Sequence, residues 1–288
     1  MKLLELDRVY KYYPKFTLTN VSFSVEAGSI TGFIGRNGAG KTTTLKGIMN
    51  LLHFDSGRVM VFGRDFKENE LENRQYMSFS LSDLNYFPQQ KLKRLTDVTK
   101  RFYREWDDEK YNKLCKMFDL DQGKRVSELS SGMKVKYNLA VALSHNAKLL
   151  ILDEPTSGLD PISRDEILDI FKSLVADGDR AILFSTHITS DLEKCADSIV
   201  YIKKGEIVAN EKKEDFIGGY RLVSGENADF DRIKDITIFR KTENGRFSAL
   251  VKKDDAEKIG DKYEITVPDL ETVMVYNERS GEHEEFTL

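Results

Sequence analysis

The stretch GRNGAGKTTTL, Gly35 to Leu45, constrains this chain more than any other. Three glycines and a lysine are poor material for a core. Ahead of them, SITGFI is an apolar run suited to a strand buried on both faces. Behind them, KTTTLKGIMNLL spaces Leu45, Ile48, Met49 and Leu52 as one helical stripe. Strand, glycine loop and helix form the context that the pattern G-x-x-x-x-G-K-[ST] requires. Gly35, Gly38 and Gly40 let backbone N–H groups turn inward, and the positive end of the helix adds to them. The loop reads as a phosphate cradle, with Lys41 reaching the outer phosphates and Thr42 offering its hydroxyl to magnesium.

A second cluster, AKLLILDEPTSGLDP, follows about a hundred residues later. Its run Leu149–Leu152 reads as another strand buried on both sides, ending in Asp153 and Glu154. Carboxylates at the carboxyl end of a parallel strand lie where open α/β sheets bind ligands. Successive strand residues point to opposite sides, so the two need not share a task. Asp153 suits a magnesium shell, directly or through water. Glu154 suits an attacking water, as general base or orienter. Between the clusters, Ser130 or Ser131 is positioned to cap a helix with the stripe Val135, Leu139, Ala142 and Leu143.

Composition sets the class. Of 288 residues, 40% are hydrophobic and 32% charged, a globular balance. The longest apolar runs are too short to cross a bilayer, and the start MKLLELDRVY has no signal-peptide pattern. Two cysteines, Cys115 and Cys195, stand in unrelated contexts and read as free thiols of a cytosolic protein. A net charge of −4 speaks against dedicated nucleic-acid binding.

With these pieces in order, residues 1–217 resemble the nucleotide-binding subunit of an ABC transporter. GRNGAGKT resembles the family's Walker A motif and LLILDEP its Walker B with the following glutamate. LSSGM, Leu129–Met133, stands where the family has its LSGGQ signature. SGLD, ending at Asp160, resembles the D-loop, and STH, ending at His187, the switch histidine. The resemblance implies an α/β fold: a P-loop NTPase core of the ABC ATPase type with N-terminal antiparallel strands, an inserted helical subdomain and a small α+β C-terminal domain. It extends the nucleotide-contacting set from Gly35, Gly38, Gly40, Lys41 and Thr42 to Asn37, Ala39, Thr43, Ser130, Gly132 and Asp160. His187 is implied to touch the γ-phosphate and hold the attacking water. Tyr13 is implied to stack on adenine, with Tyr12 and Tyr10 as near alternatives.

Departures from the family pattern concern the signature, where Ser131 replaces the first glycine and Met133 the glutamine, and the glutamine loop. YMSFSLSDLNYFPQQ puts Ser82 at that loop's place, and Gln89 and Gln90 fall too late. Residues 1–28 read as short alternating strands, and roughly 82–146 as a helical insertion. In it Leu95, Val98, Phe102 and Trp106 repeat at helical spacing, as do Tyr111, Leu114, Cys115 and Phe118. Lys91, Lys93, Arg94, Lys100, Arg101 and Arg104 read first as a solvated face and second as a dock for a membrane partner. Residues 218–288 form the C-terminal domain, read as β, α, β-turn-β, α, β and a last helix, with Asn244-Gly245 as the hairpin turn.

In the family, signature and P-loop lie on opposite sides of a subunit, so each ATP is enclosed by two chains. The resemblance therefore implies a second ATP-binding subunit (homodimer or heterodimer), separate transmembrane permease subunits, and a place on the cytoplasmic face of the membrane. It implies an ATPase with ATP and Mg2+ as cofactors. The motif set further resembles exporters of drugs or peptides. The rival reading is a soluble ABC ATPase that drives an assembly or regulatory process.

Overall fold

The computed structural model describes residues 1–80, 87–260 and 262–280. Ser82, expected at the glutamine-loop position, lies outside the described residues. The chain forms two compact units, Met1–Asn210 and Glu211–Leu288.

The first unit opens with a hairpin of β1 (Lys2–Tyr13) and β2 (Phe16–Glu26). Strands of twelve and eleven residues replace the short ones expected from sequence. Irregular steps at Leu6/Val9 and Val9/Lys11 keep the pairing going while the inward face changes phase, and those steps disguise one strand as several. Next come β3 (Ser29–Ile34), α1 (Lys41–Ile48), β4 (Ser56–Val61), β5 (Arg64–Asp65), α2 (Glu70–Gln75) and β6 (Met77–Ser80). The helical insertion carries α3 (Leu92–Thr99), α4 (Asp108–Met117) and α5 (Ser131–Ser144). The chain then returns through β7 (Leu149–Asp153), α6 (Pro161–Val175), β8 (Ala181–Thr186), α7 (Thr189–Cys195), β9 (Ser198–Lys203) and β10 (Glu206–Lys212).

Two sheets result, in the orders β2-β1-β4-β5 and β10-β9-β3-β8-β7-β6. In the second, β9, β3, β8, β7 and β6 run parallel. Every residue of β7 and β8 is buried, as a parallel strand covered on both faces requires. On one face the antiparallel sheet packs down, with Phe23 against Phe33 at a 5.5 Å ring separation. On the other lies α6, with Phe171 against Phe184 at 5.7 Å.

Helix α1 is shorter than its stripe. Leu45, Ile48 and Met49 are buried, but the helix ends at Ile48. Asn50 stands at φ +56°, the left-handed turn that stops a helix, so Leu52 falls outside it. The spacing Leu95, Val98, Phe102, Trp106 is not one helix either. α3 stops at Thr99, a 3-10 turn follows to Phe102, and Val98 and Phe102 are exposed.

The second unit contains α8 (Lys213–Gly218), β11 (Tyr220–Glu226), β12 (Thr237–Glu243), β13 (Arg246–Lys252), α9 (Lys253–Ala256), β14 (Glu264–Thr266) and α10 (Leu270–Arg279). Its sheet order is β12-β13-β11-β14, all antiparallel, the order of a split β-α-β unit. The first helix expected in this domain is a 3-10 helix instead, Asn227–Arg232. Asn244 and Gly245, both at positive φ, make the two-residue hairpin turn.

His145 fastens the insertion to the first unit's core. Its ring stacks on Tyr103 at 3.7 Å, and its Nδ1–H donates to the Gln75 carbonyl at 3.1 Å. Burial lowers its pKa from 6.5 to about 4. The unfolded chain therefore takes up a proton that the folded one refuses. Stability from this group is complete above pH 6.5 and declines as pH falls toward 4, by up to about 1.4 kcal/mol per pH unit. We expect His145→Gln to lose this component of the acid slope, read from urea midpoints between pH 7.5 and 4.

Candidate functional site

Strands β3, β8 and β7 end level with one another. Ile34 pairs with Thr186 and Asp153 with Ser185, so the three following loops emerge side by side. The first is the glycine loop. At Gly35 a Cβ would stand 2.3 Å from the Ile202 carbonyl of β9, so no larger residue fits. Gly40 has φ +115° and faces the side chains of Leu18 and Phe16. Arg36, Asn37 and Gly38 form the exposed crest, and Ala39 is buried, its carbonyl accepting from Gly205 N at 3.0 Å. α1 starts at Lys41 with no acidic residue in its first turn, leaving its positive end unopposed.

Lys41 is buried and donates to the Gly35 carbonyl at 2.7 Å, spanning the loop it closes. Thr42 Oγ1 donates to Asp153 Oδ2 at 3.0 Å, while Thr43 is half-buried in the next position. The other Asp153 oxygen accepts from Ser185 Oγ. Asp153 is thus buried with both oxygens engaged.

Glu154 leaves the strand at φ +52°, a backbone conformation that costs a non-glycine residue energy. It is held there by its N–H, which donates to the Ser185 carbonyl at 3.0 Å and hydroxyl at 3.2 Å. The turn swings the Glu154 carboxylate to His187, with Oε2 at 2.8 Å from Nδ1. A carboxylate oxygen accepts, so Nδ1 carries the proton in this contact. His187 is half exposed, so this second pair faces solvent.

The remaining residues divide. Tyr13 is exposed and leans on Phe16 at 6.5 Å, and Phe16 in turn abuts Gly40. Tyr12 and Tyr10 instead stack on each other at 6.2 Å. Ser130, Gly132 and Asp160 belong to a second cluster. Ser130, not Ser131, caps α5, accepting from Met133 N at 3.2 Å. Gly132 packs beside Leu159 and Ser163, and Asp160 caps α6 by accepting from Ile162 N and from both N and Oγ of Ser163. Those Ser163 bonds hold its carboxyl below the usual carboxylate range. The insertion also holds a cavity of about 460 Å3 lined by Leu95, Val98, Leu129 and Tyr137, with Arg94 and Lys134 as its cations.

The family model for the ABC transporter matches residues 18–157. An ABC transporter ATP-binding protein of Bacillus subtilis (strain 168), YxlF, is 37% identical over 71% of this chain and 69% of its own length. The chain belongs to the ABC transporter family. It is an ATP-binding subunit of that family and an ATPase. The choline transport ATP-binding protein OpuBA of Bacillus subtilis (strain 168) is 30% identical over 81% of this chain and 67% of its own length. The bacitracin transport ATP-binding protein BcrA of Bacillus licheniformis is 30% identical over 70% and 67%. The match thus spans about two thirds of each of these relatives. The solved ATP-binding subunit of an ABC transporter superposes with a TM-score of 0.67 at 27% identity, over 74% of this chain and 91% of that one.

Sequence reasoning passed over Ser185 in this ABC ATPase. A small hydroxyl at the end of an otherwise apolar strand, two residues before the histidine, was the available signal. It donates to Asp153 and accepts from the Glu154 amide, so it sets the strand end that carries both carboxylates. Buried hydrogen bonds to a charged group contribute about 1.5–3 kcal/mol. Ser185→Ala should lower stability by about that amount, measured as a shift in urea midpoint at neutral pH.

Proposed function

We propose that this ABC ATPase binds ATP with magnesium on the Gly35–Thr43 loop and hydrolyses it at Glu154. The observation that carries the reading is the pairing of Thr42 with Asp153 beside Glu154 with His187, all at the mouth of one phosphate loop. Thr42 and Asp153 present hard oxygen donors 3.0 Å apart, a set that fits magnesium completed by phosphate and water. Bound there, the ion would neutralise charge on the β- and γ-phosphates. Lys41, freed from the Gly35 carbonyl, binds the outer phosphates, with Asn37, Gly38, Ala39, Gly40 and Thr43 supplying the surrounding backbone and hydroxyl donors. Glu154 draws a proton from the attacking water, and His187, held beside it through Nδ1, contacts the γ-phosphate. Tyr13 supplies the ring under adenine, since Phe16 ties it to Gly40.

Ser130 and Gly132 complete the nucleotide site of a facing subunit, identical or related, and Asp160 lies at that junction. Closure on two ATP molecules then does work on separate transmembrane permease subunits at the cytoplasmic face. The apolar cavity beside α3, with its cations, is the surface offered to them. The work is export of a small molecule or peptide, a direction supported by the motif resemblance. The relative named for choline transport leaves the cargo itself open.

We expect Lys41→Ala to weaken MgATP binding at least about tenfold in calorimetry. Glu154→Gln should keep affinity near wild type, lose at least about a hundredfold in phosphate release, and accumulate as a dimer with MgATP in size-exclusion chromatography. Undiminished turnover in Glu154→Gln would remove Glu154 from its role.

A further inference from the structure

Behind the Glu154–His187 pair lies a carboxylate that the proposed chemistry does not use. Asp191, on α7, is 1% exposed. Its Oδ2 accepts from Thr156 Oγ1 at 2.6 Å, and Thr156 is itself fully buried. Its Oδ1 lies 3.9 Å from Arg164 Nε in the first turn of α6, too far for a hydrogen bond and close enough to balance charge.

The three groups come from three different segments. Thr156 lies two residues beyond Glu154, in the turn where Ser157 N donates to the Glu154 carbonyl at 3.2 Å. Arg164 N donates to the carbonyl of Asp160, the residue that caps α6. Asp191 N donates to the carbonyl of Ile188, next to His187. One buried carboxylate therefore touches the segments that carry the glutamate, the α6 cap and the histidine. Burying a charge is costly, and apolar residues of similar volume often hold helices together as well. What an apolar cluster lacks is direction. A hydrogen bond of 2.6 Å fixes the offset between the Thr156 turn and α7, and so the approach of Glu154 to His187.

We infer that Asp191 and Thr156 are positioning residues for hydrolysis, their bond setting the Glu154–His187 distance from behind. The inference rests on the proposed roles of Glu154 and His187. It requires that the bond affect the chemical step and leave nucleotide binding alone, because the side-chain partners that Thr156 and Asp191 have among the described residues are each other and Arg164.

The test is steady-state phosphate release by the full chain over a range of MgATP concentrations, with thermal melting on the same samples. Thr156→Val keeps shape and removes the hydroxyl. Asp191→Leu keeps a similar volume and removes the acceptor. Each should lower kcat about tenfold with KM within about twofold, the loss expected of a misplaced catalytic group. Thr156→Ser, which keeps the hydroxyl, should turn over near the wild-type rate. The double variant should be no slower than the slower single one, since both remove one interaction. Wild-type kcat in both single variants would overturn the inference, as would losses that multiply in the double variant or appear in KM alone. Failure of both to fold would also overturn it, making the bond a requirement of stability. A wild-type chain that hydrolyses nothing would instead defeat the proposed function.

Discussion

The level ending of β3, β8 and β7 is the constraint on which the rest depends. Parallel strands point the same way, so a common register delivers their following loops to one edge. The register is held by burial rather than by any one bond. A slip of one residue along β7 or β8 would exchange the side chains fitted to one covered face with those fitted to the other. The antiparallel sheet on one side and α6 on the other leave no room for it. A rigid edge then makes small polar details matter, since a hydroxyl such as Ser185 acts on a backbone that cannot move away.

Much of this was legible because the relevant physics is local. A glycine loop between an apolar strand and an amphipathic helix reads directly as a phosphate cradle, and Leu149–Asp153 reads as a buried strand with acids at its exit. Asn244-Gly245 announces its turn by backbone preference alone. What stayed hidden was decided by partners distant in sequence. Asn50 is a residue type that can end a helix, but what decides the stop is packing, with Phe54 folded back onto Gly47 at the spot a longer helix would have to share. Leu95, Val98 and Phe102 keep helical spacing, yet only Leu95 packs inward, against Leu92, Val126 and Leu129, while Val98 and Phe102 face outward, because spacing records periodicity and not which side finds a cover.

The candidate site divides in the same way. Lys41, Thr42, Asp153, Glu154 and His187 were readable by type and order, and the fold brings Thr42 to Asp153 and Glu154 to His187. The choice between Ser130 and Ser131 as cap needed coordinates, because either hydroxyl satisfies the same pattern. Likewise three nearby tyrosines look alike in sequence, and in the fold Tyr13 packs on Phe16 while Tyr10 and Tyr12 stack on each other.

One feature of the larger sheet bears on how the molecule is made. Both neighbours of β3, the strands β8 and β9, lie far downstream of it, and the Gly205 amide that steadies Ala39 lies further still. While the ribosome is still elongating through the helical insertion, β3 has no strand to pair with and its glycine loop has no wall behind it. The glycine loop therefore gains its final surroundings late in biogenesis. Until then the apolar run SITGFI is a segment for chaperones to shield.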